Sequence, residues 1–361
     1  MPETFSIDHS TTSGLIDLRS DTVTRPTLAM RQAMSEALVG DDMVGEDPTV
    51  NLLQEEVAKF FGFDSALFVP SGTMSNQIAI KAHTQPGDEI LCDESCHIYT
   101  WEAGGPAFLS GVTCRTLHTP HGVISVEHLE DKIRPNNQHY VQTRMVIVEN
   151  THNRGGGVVH SLERLRELRN WTQNHDLILH CDGARIWNAI VATGIPAKEW
   201  AACFDSLSVC FSKGLGAPIG SALLGSAKLI EKAKRIRKVF GGAMRQAGIP
   251  AAGALYGFRH NIDRIADDHR HAQLISQAIR QTPGLILDHP HPPTNLVWFN
   301  VDPNRATGDQ FVQALKTKGV LLSQAGSHLC RAVTHLDVSK SQAEYACKAI
   351  TSAFNWIERK Y

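Results

Sequence analysis

The sequence predicts an α/β protein, with a large domain on a mostly parallel sheet followed by a small C-terminal α+β domain. Three observations carry this reading. Short apolar runs recur between residues 66 and 225 without strict polar alternation, as strands buried on both faces require. Stretches of helical spacing separate these runs, the order that places helices over a parallel sheet. The chain has 361 residues, 42% of them hydrophobic, enough for one large core and a smaller one.

In chain order, residues 1–15 read as a flexible arm. A helix follows Pro26, where Met30, Ala33, Met34, Ala37 and Leu38 recur at helical spacing. The loop GDDMVGEDP (40–48) precedes a helix carrying Leu53, Val57, Phe60 and Phe61. ALFVP (66–70) is an apolar strand, and GTMSNQIAIKAH opens a helix directly after it. EILCD (89–93) and MVIVEN (145–150) are further strands. Leu162, Leu165, Leu168 and Trp171 mark a helix before the strand LILHCD (177–182). SLSVCFS (206–212) and GSALLG (220–225) close the series, and the large domain is placed over 16–258. In the smaller domain, 259–361, a charged helix (259–281) leads through DHPHPP to the strand NLVWFNV. Ala343, Cys347, Ile350, Phe354 and Ile357 mark one last helix.

A net charge of −2, with no long basic run, argues against nucleic acid and membrane surfaces as partners. The N-terminal stretch has no apolar segment of signal-peptide length, and no run of 18 apolar residues occurs. Eight cysteines without a CxxC pair read as reduced thiols, which places the protein in the cytoplasm. Cys92, Cys96 and His97 lack the second ligand pair of a structural zinc site, so no metal is expected.

Lys213 follows an apolar strand and sits in SKGLGAP, beside small, turn-forming residues. An amine at a strand end faces a crevice, where burial favours the neutral form that attacks carbonyl carbon. Asp182 closes LILHCD, so a second buried strand ends in a carboxylate. A lysine that forms a Schiff base and a carboxylate that pairs with a protonated pyridine nitrogen are the combination pyridoxal 5′-phosphate (PLP) needs. The same aspartate also serves as a helix cap. PSGTMSN (70–76) adds a helix N-terminus for a phosphate, with Gly72 allowing close approach and Thr73 a hydroxyl. Arg245 is a further phosphate candidate, and Arg185 and Arg331 are candidate forks for a substrate carboxylate. His97 and His152 are candidate acid–base groups, against a background of eighteen histidines of which most fill other roles.

LIDLRSDTVTRPT, VGDDMVGEDPTVN, PSGTMSNQIA, CHIYTWEAGG, VENTHNRGGG, HCDGARIWNA, SKGLGAPIGS, GGAMRQAG and VTHLDVS occur in this order from Leu15 onward. Together they resemble the low-specificity L-threonine aldolases. The resemblance implies the aspartate-aminotransferase-like (type I) PLP fold and tetramers built from dimers, with active sites between subunits. It implies Lys213 as the Schiff-base lysine, Asp182 as the ring-nitrogen partner, and Gly72 and Thr73 as phosphate ligands. Arg245 would reach the phosphate from a neighbouring subunit. Ser20, Arg185 and Arg331 would grip the amino-acid carboxylate. His97 would stack on the ring, and His152 would stand near the substrate hydroxyl. The longer N-terminal arm and Cys96 before His97 depart from the pattern and leave fine specificity open. The implied reaction is retro-aldol cleavage of L-threonine, L-allo-threonine and related β-hydroxy-α-amino acids to glycine and an aldehyde. The base stays open between His97, His152 and a water. Another PLP enzyme of this fold, an aminotransferase, racemase or β-eliminating lyase, is the alternative.

Overall fold

The computed structural model describes residues 14–360, so the arm read over 1–15 lies almost wholly outside the described residues. A two-residue strand, β1 (Ile16–Asp17), opens the described chain. The strands of the main sheet follow: β2 (Ser65–Val69), β3 (Asp88–Asp93), β4 (Thr113–Leu117), β5 (Gln142–Glu149), β6 (Ile178–Gly183), β7 (Ser206–Cys210) and β8 (Ser221–Gly225). They lie side by side in the order β2-β8-β7-β6-β5-β3-β4. The pairs from β7 through β4 are parallel, whereas β8 runs antiparallel to both β7 and β2. The tight return from β7 into β8 explains the reversal. Phe211 N–H bonds Gly220 O, and Gly216, at φ +75°, donates back to Lys213 O. A left-handed residue inside so short a turn is what glycine tolerates best.

Strand alternation shows why these runs read as continuously apolar. Val146 and Val148 of β5, Leu91 of β3, and Ala66 and Phe68 of β2 enter one apolar cluster with Val57, Phe61, Trp187 and Phe211. Their neighbours point the other way. Met145, Ile147, Ile90 and Cys92 form a second cluster, and Leu67 and Val69 join Ile78 and Leu223 in a third. Successive side chains alternate between faces, and here both faces are covered. Each fully buried large side chain contributes about 1.5–3 kcal/mol relative to exposure. Trp187 also satisfies its indole by donating to Cys210 O at 2.8 Å, which ties its helix to the end of β7.

The helix Gly72–His83 follows β2 after only two residues and packs on β7 and β8. Ser71 caps it by accepting Met74 N–H at 3.1 Å. The last helices differ from the reading. The charged stretch 259–281 is divided between Gly248–His260 and Ile265–Arg280, with Asn261 capping the first. The final helix is likewise broken at Ser352, into Lys340–Thr351 and Ala353–Lys360. Ala37 and Leu38 fall beyond the helix Leu28–Ser35.

Beyond residue 259 come β9 (Leu285–Leu287), β10 (Leu296–Val301), β11 (Val320–Leu321), β12 (Ser323–Gln324) and β13 (Leu329–Val333). Strands β12-β13-β10-β9 form an antiparallel sheet, and β11 pairs with β1. Ile16 and Leu18 thereby join the apolar cluster of this region with Phe299 and Phe311. The segment after β1 then crosses to the main sheet, where Thr24 Oγ1 bonds Lys213 O at 3.3 Å. Among the described residues no helix is long and apolar enough to cross a membrane.

Candidate active site

The carboxyl ends of the parallel strands share one edge of the sheet, the usual position of ligands in such folds. Lys213 lies three residues beyond β7, Asp182 within the end of β6, and His97 four residues beyond β3. The start of helix Gly72–His83 adds Gly72, Thr73 and Asn76. These six residues line a cavity of about 250 Å³ together with Cys210 and Ala184.

Several features fit that cavity to PLP. Among the described residues, Lys213 Nζ has one hydrogen-bond contact, Cys210 Sγ at 3.5 Å, and no ion pair holds its amine. Asp182 is buried and accepts Asn76 Nδ2 at 2.9 Å and Ala184 N–H at 3.0 Å. The N–H groups of Gly72 and Thr73 precede the first helical bond, Ser75 N–H to Ser71 O, and stay available for an anion. A side chain at Gly72 would put its Cβ 2.7 Å from Cys210 Sγ, so any larger residue there would force that sulfur to move.

His97 and Lys213 also line a larger neighbouring cavity, of about 930 Å³, with Ser20, Arg185, Arg331, Asn153 and Trp298. His97 is held from two sides: its N–H donates to Glu149 Oε2 at 2.7 Å, and Nδ1 meets Glu102 Oε1 at 2.9 Å. Burial pushes its pKa down, but the Glu102 bond and the charges of Asp182, Glu102 and Glu149 outweigh this and raise it. His97, Glu102 and Asp182 offer ligand atoms within 4.8 Å of one another. Asn76 Nδ2 bridges the two carboxylates.

The three residues read as a carboxylate grip meet at this second cavity. Ser20 Oγ caps the turn Asp21–Val23. Arg185 Nε and Nη2 engage Asp21 at 2.7 Å each, leaving Nη1 outside that pair. Among the described residues, Arg331 bonds only neutral oxygens, Asn153 Oδ1 at 2.9 Å and Arg19 O at 3.0 Å, and its buried Nε has no partner. It lies over Trp298, 5.3 Å from the ring centroid, with Arg154 4.6 Å from the same ring. Burial and the nearby Arg185 push the pKa of Arg331 down to about 10. A bound carboxylate would relieve that clustered positive charge.

Two of the sequence candidates lie elsewhere. His152 is fully buried and lines neither cavity; Nδ1 accepts Gly155 N–H at 3.0 Å, and Nε2 stands 3.4 Å from Asp93 Oδ1. Arg245 is exposed and pairs with Asp41 at 2.8 Å, on the loop 40–48, and borders neither cavity of this chain. Two more acids of that loop are paired within the chain: Asp42 meets buried Arg237 at 2.9 Å, and Asp47 accepts Gly248 N–H at 2.8 Å. The sequence reading missed Asn76, Glu102, Asp21 and Asn153. All four stand inside the motifs quoted above, so the signal was position within a motif rather than residue type.

Residues 17–302 match the family model described as β-eliminating lyase. Low-specificity L-threonine aldolase 1 of Arabidopsis thaliana is 39% identical over 343 residues, covering 94% of this chain and 96% of its own. The low specificity L-threonine aldolase of Escherichia coli K12 is 40% identical over 329 residues, covering 91% of this chain and 96% of its own. In fold, the chain resembles a threonine aldolase of Leishmania major, with a TM-score of 0.78 at 17% identity, covering 95% and 99% of the two chains. It also resembles SPT solved with PLP, with a TM-score of 0.72 at 16% identity, covering 95% and 88%. With such identity sustained across nearly the whole length, this chain belongs to the β-eliminating lyase family and, within it, to the low-specificity L-threonine aldolases.

Proposed function

We infer that the protein is a PLP-dependent carbon–carbon lyase that cleaves L-threonine to glycine and acetaldehyde, and L-allo-threonine and related β-hydroxy-α-amino acids in the same way. One observation supports the residue roles most strongly: Lys213 and His97 border both the small cavity with Asp182 and Gly72 and the larger one with Ser20, Arg185 and Arg331. Lys213 would hold the cofactor covalently, Asp182 would pair with its ring nitrogen, and Gly72 and Thr73 would take its phosphate. When bound, PLP accepts the electron pair of the broken Cα–Cβ bond into its ring. Ser20, Arg185 and Arg331 fix the amino-acid carboxylate, which decides which bond at Cα is broken. His97, at the boundary of the cavities, takes the β-hydroxyl proton as the aldehyde C=O forms. A proton delivered to Cα then completes glycine. His152, buried between Asp93 and Gly155, acts from behind by holding the Asn153 segment.

Arg245 is assigned to a neighbouring subunit's phosphate, in a homodimer or homotetramer, and the enzyme to the cytoplasm. Incubation with L-threonine, following glycine and acetaldehyde, tests the activity. Formation of 2-oxobutanoate and ammonia instead would show β-elimination.

A further inference from the structure

Asn76 stands between the two carboxylates of the site. Its Nδ2 donates to Asp182 Oδ2 and to Glu102 Oε1, both at 2.9 Å. Ionised carboxylates only accept, so the amide has one workable orientation, with Oδ1 turned to His180 Nε2 at 3.3 Å. That nitrogen must carry the proton. His180 Nδ1 therefore accepts, and its partner is Ser206 Oγ at 2.8 Å. With its single hydrogen given to His180, Ser206 Oγ accepts from His83 Nε2 at 3.0 Å. The fold builds this path through neighbouring elements. His83 ends the helix that carries Asn76 in its second turn, and His180 and Ser206 are paired positions on β6 and β7. Burial holds both imidazoles neutral, bringing His180 down to about 3 and His83 to about 4.

We propose that Asn76, His180, Ser206 and His83 are positioning residues, forming a one-directional hydrogen-bond chain that presents a donor, and never an acceptor, to Asp182 and Glu102. The chain rests on the reading of Asp182 as the ring-nitrogen partner. It fixes the carboxylate's direction without touching substrate, and through Glu102 it ties that direction to the seat of His97. A reversed chain would turn the Asn76 oxygen on two carboxylates.

The test is imidazole NMR on the ¹⁵N-histidine-labelled holoenzyme. His83 and His180 should both be neutral with the proton on Nε2 throughout pH 5 to 8. In Ser206→Ala, His83 should lose its acceptor and with it its single tautomer while His180 keeps its proton on Nε2 against Asn76, and equilibrium dialysis of the holoenzyme should show PLP held about three- to tenfold less tightly. Ser206→Thr should restore both readings. A wild-type His180 that is charged, or protonated on Nδ1, overturns the proposal. So does a Ser206→Ala variant in which either reading is unchanged. Should that variant not fold, the wild-type tautomers decide the matter alone. These spectra do not depend on which lysine carries the cofactor, so failure of the chain is distinct from failure of the site assignment.

Discussion

Arg185 and Asp21, 164 residues apart in sequence, meet in a two-pronged ion pair, with Nε and Nη2 each 2.7 Å from a carboxylate oxygen and both side chains buried. Burial alone would raise the Asp21 carboxyl, but the charge and hydrogen bonds of Arg185 outweigh it and hold the group well below the usual carboxylate range. Asp21→Asn would leave a buried guanidinium without its counter-charge. The expected loss is about 3–5 kcal/mol of stability, measured by urea unfolding. Because the folded-state pKa is depressed, the pair's stabilisation is present above the unfolded value near 4 and is lost as pH falls below it. The variant should therefore show a weaker dependence of stability on pH below about 4 than the parent.

Asp182→Asn keeps the shape, but Ala184 N–H and Asn76 Nδ2 bond opposite oxygens of Asp182 and the amide can accept only one of them, so folding should lose about 1 kcal/mol. Its loss of charge should slow threonine cleavage about a hundredfold or more, roughly 2.7 kcal/mol on the barrier. Turnover at the parental rate with ordinary stability would make Asp182 only the cap of the turn after β6.

Arg331→Lys keeps a cation but loses the fork that spans Asn153 Oδ1 and Arg19 O. The expected outcome is a KM for threonine raised about tenfold or more, as a two-pronged carboxylate contact is lost. Steady-state kinetics over a threonine series would show it.

Arg245 pairs with Asp41 in the single chain, in a position that leaves it largely exposed. If it reaches a partner's phosphate, PLP binds across the subunit boundary and tightens the assembly by linkage. Sedimentation of apo- and holoprotein over a dilution series should show apo dissociating first, and Arg245→Ala should narrow the difference. A fully active monomeric holoenzyme would contradict the shared site.

The elements most legible in the sequence were those whose burial is symmetrical. β2, β3, β5, β6 and β7 read as apolar runs because both faces of the main sheet are covered. The reversed direction of β8 was not legible, since GSALLG is as apolar as the parallel strands, and its sense follows from the return between Phe211 and Gly220. Helix ends were lost where no proline or glycine marks them, at Asn261 and Ser352. In the site, Lys213, Asp182 and Gly72 announced themselves by residue type at a strand or helix end. Asn76 and Glu102 did not, because their roles exist only through partners 106 and 26 residues away.

The central claim is that Lys213 carries the cofactor, and borohydride reduction of the holoenzyme followed by peptide mapping tests it most directly. The account predicts a single PLP adduct, on the peptide holding Lys213, and none in Lys213→Ala, which should also lose the visible absorbance and nearly all threonine cleavage. A reduced adduct on any other lysine of the parent protein would contradict it.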